Sequence, residues 1–159
     1  MHELTPNRRD KAAKQGSALD QTRLGLMYQY GQGVKQDFKI AVQWYTKAAN
    51  QGDTAAQNNL GRMHGHGRGV KQDFKIALKW FTKAANQGVP DAQNNLGMIY
   101  EYGQGVDKDF TIATQWYTKA AKQGLALAQS NLNSLSFQAD IDPNLPETLH
   151  SHDIYVFVI

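Results

Sequence analysis

Apolar side chains along this chain recur at helical spacing, and the spacing itself recurs. Ala56, Leu60 and His64 stand at i, i+4 and i+8, and Leu24 and Tyr28 take equivalent places one unit earlier. Phe38, Ala41, Trp44, Tyr45 and Ala48 form a second stripe. The pattern predicts two helices per unit: a segment A, near residues 56–66 in the second unit, and a segment B, near residues 38–51 in the first. Asp37, Asp73 and Asp109 stand just before segment B. A carboxylate there accepts a free backbone N–H and meets the positive helix end, so each is an expected N-cap. Gly52, Gly88 and Gly124 follow segment B and suit a left-handed C′ position. A Gly-x-Gly between A and B permits a tight turn. Each unit therefore reads as a helical hairpin.

The period is 36 residues, marked by Gly16, Gly52, Gly88 and Gly124. The unit at 16–51 matches that at 52–87 at 22 of 36 positions, and the second matches the third, at 88–123, at 20 of 36. Residues 1–15 read as a partial N-terminal repeat, the remnant of a helix B. Residues 124–136 read as helix A of a partial fourth repeat, with Asn133 where glycine is expected. A single hairpin cannot bury both apolar faces, whereas stacked hairpins cover one another. Gly25, Ala41 and Ala48 are expected to let two backbones approach. Burying an aromatic ring contributes roughly 1.5–3 kcal/mol, so the three tryptophans are expected in the core. On helix A the core is expected to take positions 24, 25 and 28.

The third unit holds Ala92, Leu96, Gly97, Tyr100, Gly103, Gly105, Val106, Asp109, Ala113, Trp116, Tyr117, Lys119, Ala120, Ala121 and Gly124. This pattern resembles the Sel-one-like repeat, a relative of the tetratricopeptide repeat, and the resemblance covers about residues 11–135. It implies an all-α fold, a right-handed α-solenoid of antiparallel helix hairpins, whose A helices line a concave face used to hold protein partners. Some relatives carry a cysteine pair in each repeat; this chain has no cysteine. Disulfides, cysteine nucleophiles and thiolate metal sites are thereby excluded.

Composition narrows the picture further. Hydrophobic residues make up 41% and charged residues 19% of the chain, enough apolar material for a packed core. No run approaches the ~18 apolar residues of a membrane-spanning helix. The N-terminal stretch lacks an apolar signal region, although the chain starts inside a hairpin and a longer natural chain is expected. The compartment stays open. Net charge is +3 overall, falling from +4 in residues 52–87 to −4 in residues 124–159. The basic part is too dilute for a nucleic-acid footprint.

Positions that vary while the framework holds are the candidates for recognition. Off the core stripe of helix A lie Arg23, Leu26 and Tyr30 in the first unit, Asn59, Arg62 and His66 in the second, and Asn95, Met98 and Tyr102 in the third. Asn131 and Ser134 continue the column. Asparagine donates and accepts and can bond an extended peptide, while tyrosine and arginine supply interface anchors. The column either lines a groove for a partner or consists of exposed helix residues, with Asn59 and Asn95 bonded inside the scaffold.

His64 and His66, two apart on a helix, point to different faces and form no chelate, so no metal site is expected. They read as a core-edge and an exposed imidazole. Gly65 between them lowers helix propensity by up to ~1 kcal/mol, so that helix is expected to fray. The glycine pairs lack the Lys-Ser or Lys-Thr of a phosphate loop. No paired carboxylates or nucleophile arrangement emerges, and no cofactor is expected. Residues 137–159 read as a non-repeat tail. Its β-prone end, residues 154–159, could cap the last hairpin or pair with a partner or a second copy. The expected function is a non-catalytic adaptor for a peptide or protein partner. The alternatives are a binder or hydrolase of a small cell-wall-derived ligand and a self-associating module joined through open ends or the tail.

Overall fold

A computed structural model describes residues 6–141, with side chains over residues 10–138. Every regular element among these residues is a helix. They fall into two compact units that divide between Lys83 and Ala84. The first holds α1 (Pro6–Lys14), α2 (Ala18–Tyr30), α3 (Phe38–Asn50), α4 (Thr54–His66) and most of α5 (Phe74–Asn86). The second holds the end of α5, then α6 (Pro90–Tyr102), α7 (Phe110–Lys122) and α8 (Ala126–Ile141). Helices α2, α4, α6 and α8 are the A helices; α1, α3, α5 and α7 are the B helices. The class is the all-α solenoid of antiparallel hairpins expected from the repeat. The residues of the β-prone tail lie outside those described. Helix α8 runs to Ile141, into the stretch set apart from the repeat.

Short-range chemistry sets the helix ends. Asp37, Asp73 and Asp109 accept the N–H of Ile40, Ile76 and Ile112 at 3.0, 3.0 and 2.8 Å, the expected capping bonds. Ser17 and Asp53 cap α2 and α4 in the same way. Helix α6 has no side-chain cap and starts on Pro90, whose missing N–H needs no partner there. Gly69 is fixed twice over: its φ is +73°, and a Cβ would lie 2.4 Å from the Phe38 carbonyl carbon and oxygen.

Antiparallel register within a hairpin is set by side chains that meet across it. Tyr45 reaches Gln29, and the Gln51 amide donates to Gln21 Oε1 at 2.7 Å. The second unit repeats this, with Tyr117 on Glu101 and Gln123 on Gln93. Successive hairpins are joined by a buried glutamine. Gln21, Gln57 and Gln93 donate to the carbonyls of Ala13, Ala49 and Ala85 at 3.0, 3.2 and 3.2 Å. Those carbonyls belong to the last turn of the preceding B helix, where each also accepts the N–H of the glycine three residues on, at 3.1, 3.1 and 3.0 Å.

The core departs from the expected one in three respects. The deepest ring is the residue after each tryptophan: Tyr45, Phe81 and Tyr117 are buried, as is Trp80, while Trp44 and Trp116 are half-buried. Lys47, Lys83 and Lys119 place their ammonium groups 4.5, 4.8 and 4.1 Å from the ring centroids of Trp44, Trp80 and Trp116. These rings keep one face for a cation. Position 28 is half-buried, and Met27, Met63 and Ile99 are buried instead. The glycine of helix A seats a ring rather than a backbone: a Cβ on Gly25 would lie 2.4 Å from a Tyr45 ring carbon, and on Gly97 2.5 Å from Tyr117. Helix α4 also continues through Gly65 to His66, where Gly67 ends it, so the expected fraying is absent.

Two glycine-to-alanine changes should therefore act in opposite directions. Gly25→Ala forces a methyl into a buried, hydrogen-bonded ring and should destabilise by about 1–3 kcal/mol. At Gly65 the nearest atom to a new Cβ is the Ala77 methyl at 3.8 Å. Gly65→Ala should stabilise by about 0.5–1 kcal/mol. Urea unfolding followed by circular dichroism at 222 nm reads both.

Candidate functional site

The variable column of the A helices divides between the two units. In the first unit, α2 supplies Arg23, Leu26 and Tyr30, and α4 supplies Asn59, Arg62 and His66. Arg23 is half-buried and pairs with Asp20 at 3.6 Å. Leu26 is half-buried against the core cluster that contains Leu60 and Met63. Asn59 is half-buried, whereas Arg62 and His66 are exposed. Tyr30 and Arg62 both lie near the buried Tyr45 phenol. Burial raises the pKa of that phenol, Tyr30 adds to the rise, and Arg62 opposes it. His66 lies under the positive charge of Arg68 and Arg62, and burial with that charge holds its pKa below 6.5.

In the second unit, α6 supplies Asn95, Met98 and Tyr102, and α8 supplies Asn131. Asn95 and Asn131 are half-buried; Met98 and Tyr102 are exposed. Asn131 Nδ2 donates to Asn94 Oδ1 at 2.9 Å, and Asn94 Nδ2 reaches the Met98 sulfur at 3.7 Å. The Asn131 amide is thus engaged by the neighbouring A helix. Ser134 is exposed.

Two residues that the hydrophobic pattern passed over belong to the same face. Gln29 and Glu101 are both buried, and each accepts from a phenol at 2.6 Å: Tyr45 to Gln29 and Tyr117 to Glu101. The middle repeat has Gly65 at the equivalent place and Phe81 in place of the tyrosine. Acceptor and hydroxyl are lost together, so no buried phenol goes unsatisfied. That paired change, sixteen residues apart, was the available signal. Tyr102 also bonds Glu101, whose charge and hydrogen bond, with burial, raise the Tyr102 pKa.

His64 is the core-edge imidazole anticipated from its stripe. It is half-buried, its Nδ1 is buried without a hydrogen-bond partner, and burial lowers its pKa against the opposing pull of Asp73. No group of three potential metal-ligating side chains occurs among the described residues. An open depression of about 460 Å³ lies instead at the α2–α3 turn, lined by Tyr28, Val34, Lys35, Gln36, Asp37 and Ile40. None of the column residues lines it.

Repeated hairpins, a phenol satisfied across each outer pair, and a variable strip on the A helices describe a repeat scaffold. The Sel1 repeat family matches residues 18–53, 54–89 and 90–125, and the chain belongs to that family. Sel1-repeat proteins are generally non-catalytic scaffolds for protein interaction. Among solved structures, c5321, a protective antigen of uropathogenic Escherichia coli with this fold, is 41% identical with a TM-score of 0.81. A Sel1 repeat protein from Oxalobacter formigenes is 36% identical with a TM-score of 0.77. The alignments cover 84% and 83% of this chain but only 28% and 54% of theirs. The cysteine-rich protein B of Helicobacter pylori shares the fold at 24% identity and a TM-score of 0.61, over 78% of this chain and 95% of its own. No curated protein matches the chain. No described helix is long and apolar enough to cross a membrane.

The two imidazoles make stability depend on pH. Both are held below 6.5 in the folded chain, so just below that pH the unfolded chain binds more protons. Stability should fall as pH is lowered from about 7.5 to about 5.5, and the loss is complete below the folded values. His64→Tyr, which restores the residue of the other two repeats, should flatten the dependence. Urea midpoints at the two pH values measure it.

Proposed function

We propose that this chain is a non-catalytic adaptor that holds an extended segment of another protein against its A helices. The column Arg23, Leu26, Tyr30, Asn59, Arg62 and His66 in the first unit, and Asn95, Met98, Tyr102 and Asn131 in the second, is the contact surface. The observation that carries this reading is exposure where the repeat does not need it. Tyr30 and Tyr102 are each 56% exposed and Met98 is 38% exposed, while framework positions two or three residues away are buried. Large amphipathic rings with few rotatable bonds are the side chains that anchor interfaces. The protein-binding role general to Sel1 repeats supports the same reading.

Asn131 adds a directional group beside those anchors. Asn131 spends its amide donor on Asn94 and retains its carbonyl as an acceptor. The face therefore offers rings, amides and, in the first unit, guanidinium groups to a strand-like visitor.

A photo-crosslinking side chain placed at Tyr102 should capture a discrete protein in cells, and one placed at exposed Lys79 on α5 should not. Tyr30→Ala with Tyr102→Ala should weaken that capture at least about tenfold, with the thermal midpoint unchanged. Equal capture from both positions, or capture indifferent to the double substitution, would overturn the reading.

A further inference from the structure

Glu101 places a carboxyl group where packing requires only a neutral acceptor. Tyr117 donates to Glu101 Oε2 at 2.6 Å, and Tyr45 donates to the amide oxygen of Gln29 at the same distance in the equivalent place. A neutral acceptor therefore satisfies the phenol in this fold. The Glu101 carboxyl group has no basic residue beside it in the last turn of its own helix. It is only 9% exposed, and taking a charge out of water is costly unless a cation answers it. That last turn also ends in the negative pole of the helix. Glu101 is the one glutamate within the three repeats.

Among the described residues, what answers the carboxylate is two phenols, Tyr117 from the core and Tyr102 from the column. Neither supplies positive charge. Tyr102 is more than half exposed. Its exposed ring adjoins the buried Glu101 carboxyl group, to which its hydroxyl bonds, at the rim of the proposed contact face. A flat guanidinium suits that pair, because it can bond the carboxylate while its plane lies on the aromatic ring. An ammonium is more strongly hydrated and cannot stack in this way.

We infer that Glu101 and Tyr102 form a recognition site for an arginine side chain presented by the protein partner. The inference rests on the proposed use of the A-helix face and names the partner's chemistry at one place on it. Tyr102 supplies the stacking ring and Glu101 the charge; Tyr117 holds the carboxylate in position from beneath.

The probe is a pair of nine-residue extended peptides, identical except for a central arginine or citrulline. Citrulline keeps the shape and most hydrogen bonds and lacks the charge. Each is titrated into the full chain, with binding read from the NMR signals of labelled tyrosine rings. The arginine peptide should bind about tenfold more tightly than the citrulline peptide and shift the Tyr102 ring signals. Glu101→Gln should erase that preference and keep the thermal midpoint close to the parent value, because glutamine serves Tyr45 in the sister repeat. Tyr102→Ala should weaken the arginine peptide while leaving the Tyr117 environment in place.

A preference that survives Glu101→Gln overturns the inference. So does a large fall in midpoint for that variant, since the charge is then structural. Equal, measurable binding of both peptides overturns the Glu101 assignment alone and leaves the face as a peptide holder. Binding of neither peptide also overturns the assignment, and the crosslinking comparison then decides the face by itself.

Discussion

The fold depends on an aromatic ring resting where a helix has no side chain. Tyr45 lies on Gly25, Phe81 on Gly61 and Tyr117 on Gly97, each close enough that a single methyl would collide with the ring. This contact fixes how near helix B comes to helix A, and it requires one glycine and one flat side chain at set places in every repeat. Burying the rim of a tyrosine in that seat brings its hydroxyl along, and a buried hydroxyl must find an acceptor. The position one turn beyond the glycine supplies it in the outer repeats as Gln29 and Glu101. The middle repeat removes the requirement by using Phe81. Packing geometry thus dictates a polar pair at the edge of the variable column, where the chemistry of that pair can differ from repeat to repeat.

Much of this was legible in the sequence, because hairpin, turn and cap chemistry are local. The 36-residue period, the aspartate caps and the positive-φ glycines follow from spacing and residue type alone. Which ring of each Trp-Tyr pair goes deepest did not. Adjacent helical residues differ by about 100° in direction, and an apolar stripe drawn through both cannot rank them. Met27 against Tyr28 failed to resolve for the same reason. Gln21, Gln57 and Gln93 were passed over because a hydrophobicity pattern counts a buried amide as exposed. Propensity at Gly65 predicts fraying, yet α4 runs through it to His66 and ends on Gly67, whose N–H bonds the Met63 carbonyl.

The candidate column is mixed in its burial. Tyr30, Met98 and Tyr102 stand exposed as their stripe implies. Leu26 leans into the core, and Asn131 bonds a neighbouring asparagine. Such mixed burial is what a helix gives when its apolar stripe is wide, since flanking residues share the boundary. The two units also offer different chemistry on this strip. The first gathers Arg62, His66 and Arg68 in mutual influence, and the second sets a carboxylate between phenols.

The glutamine that joins each hairpin to the one before it has a consequence for how such a chain can change length. Its amide meets a carbonyl eight residues upstream, across a turn whose every residue is committed to a cap or a helix end. Slipping one residue into that interval would swing the amide away and undo the side-chain bond that ties one hairpin to the next. Growth or shrinkage of the array is consequently quantised: whole hairpins can be gained or lost with each junction intact, and intermediate lengths cannot.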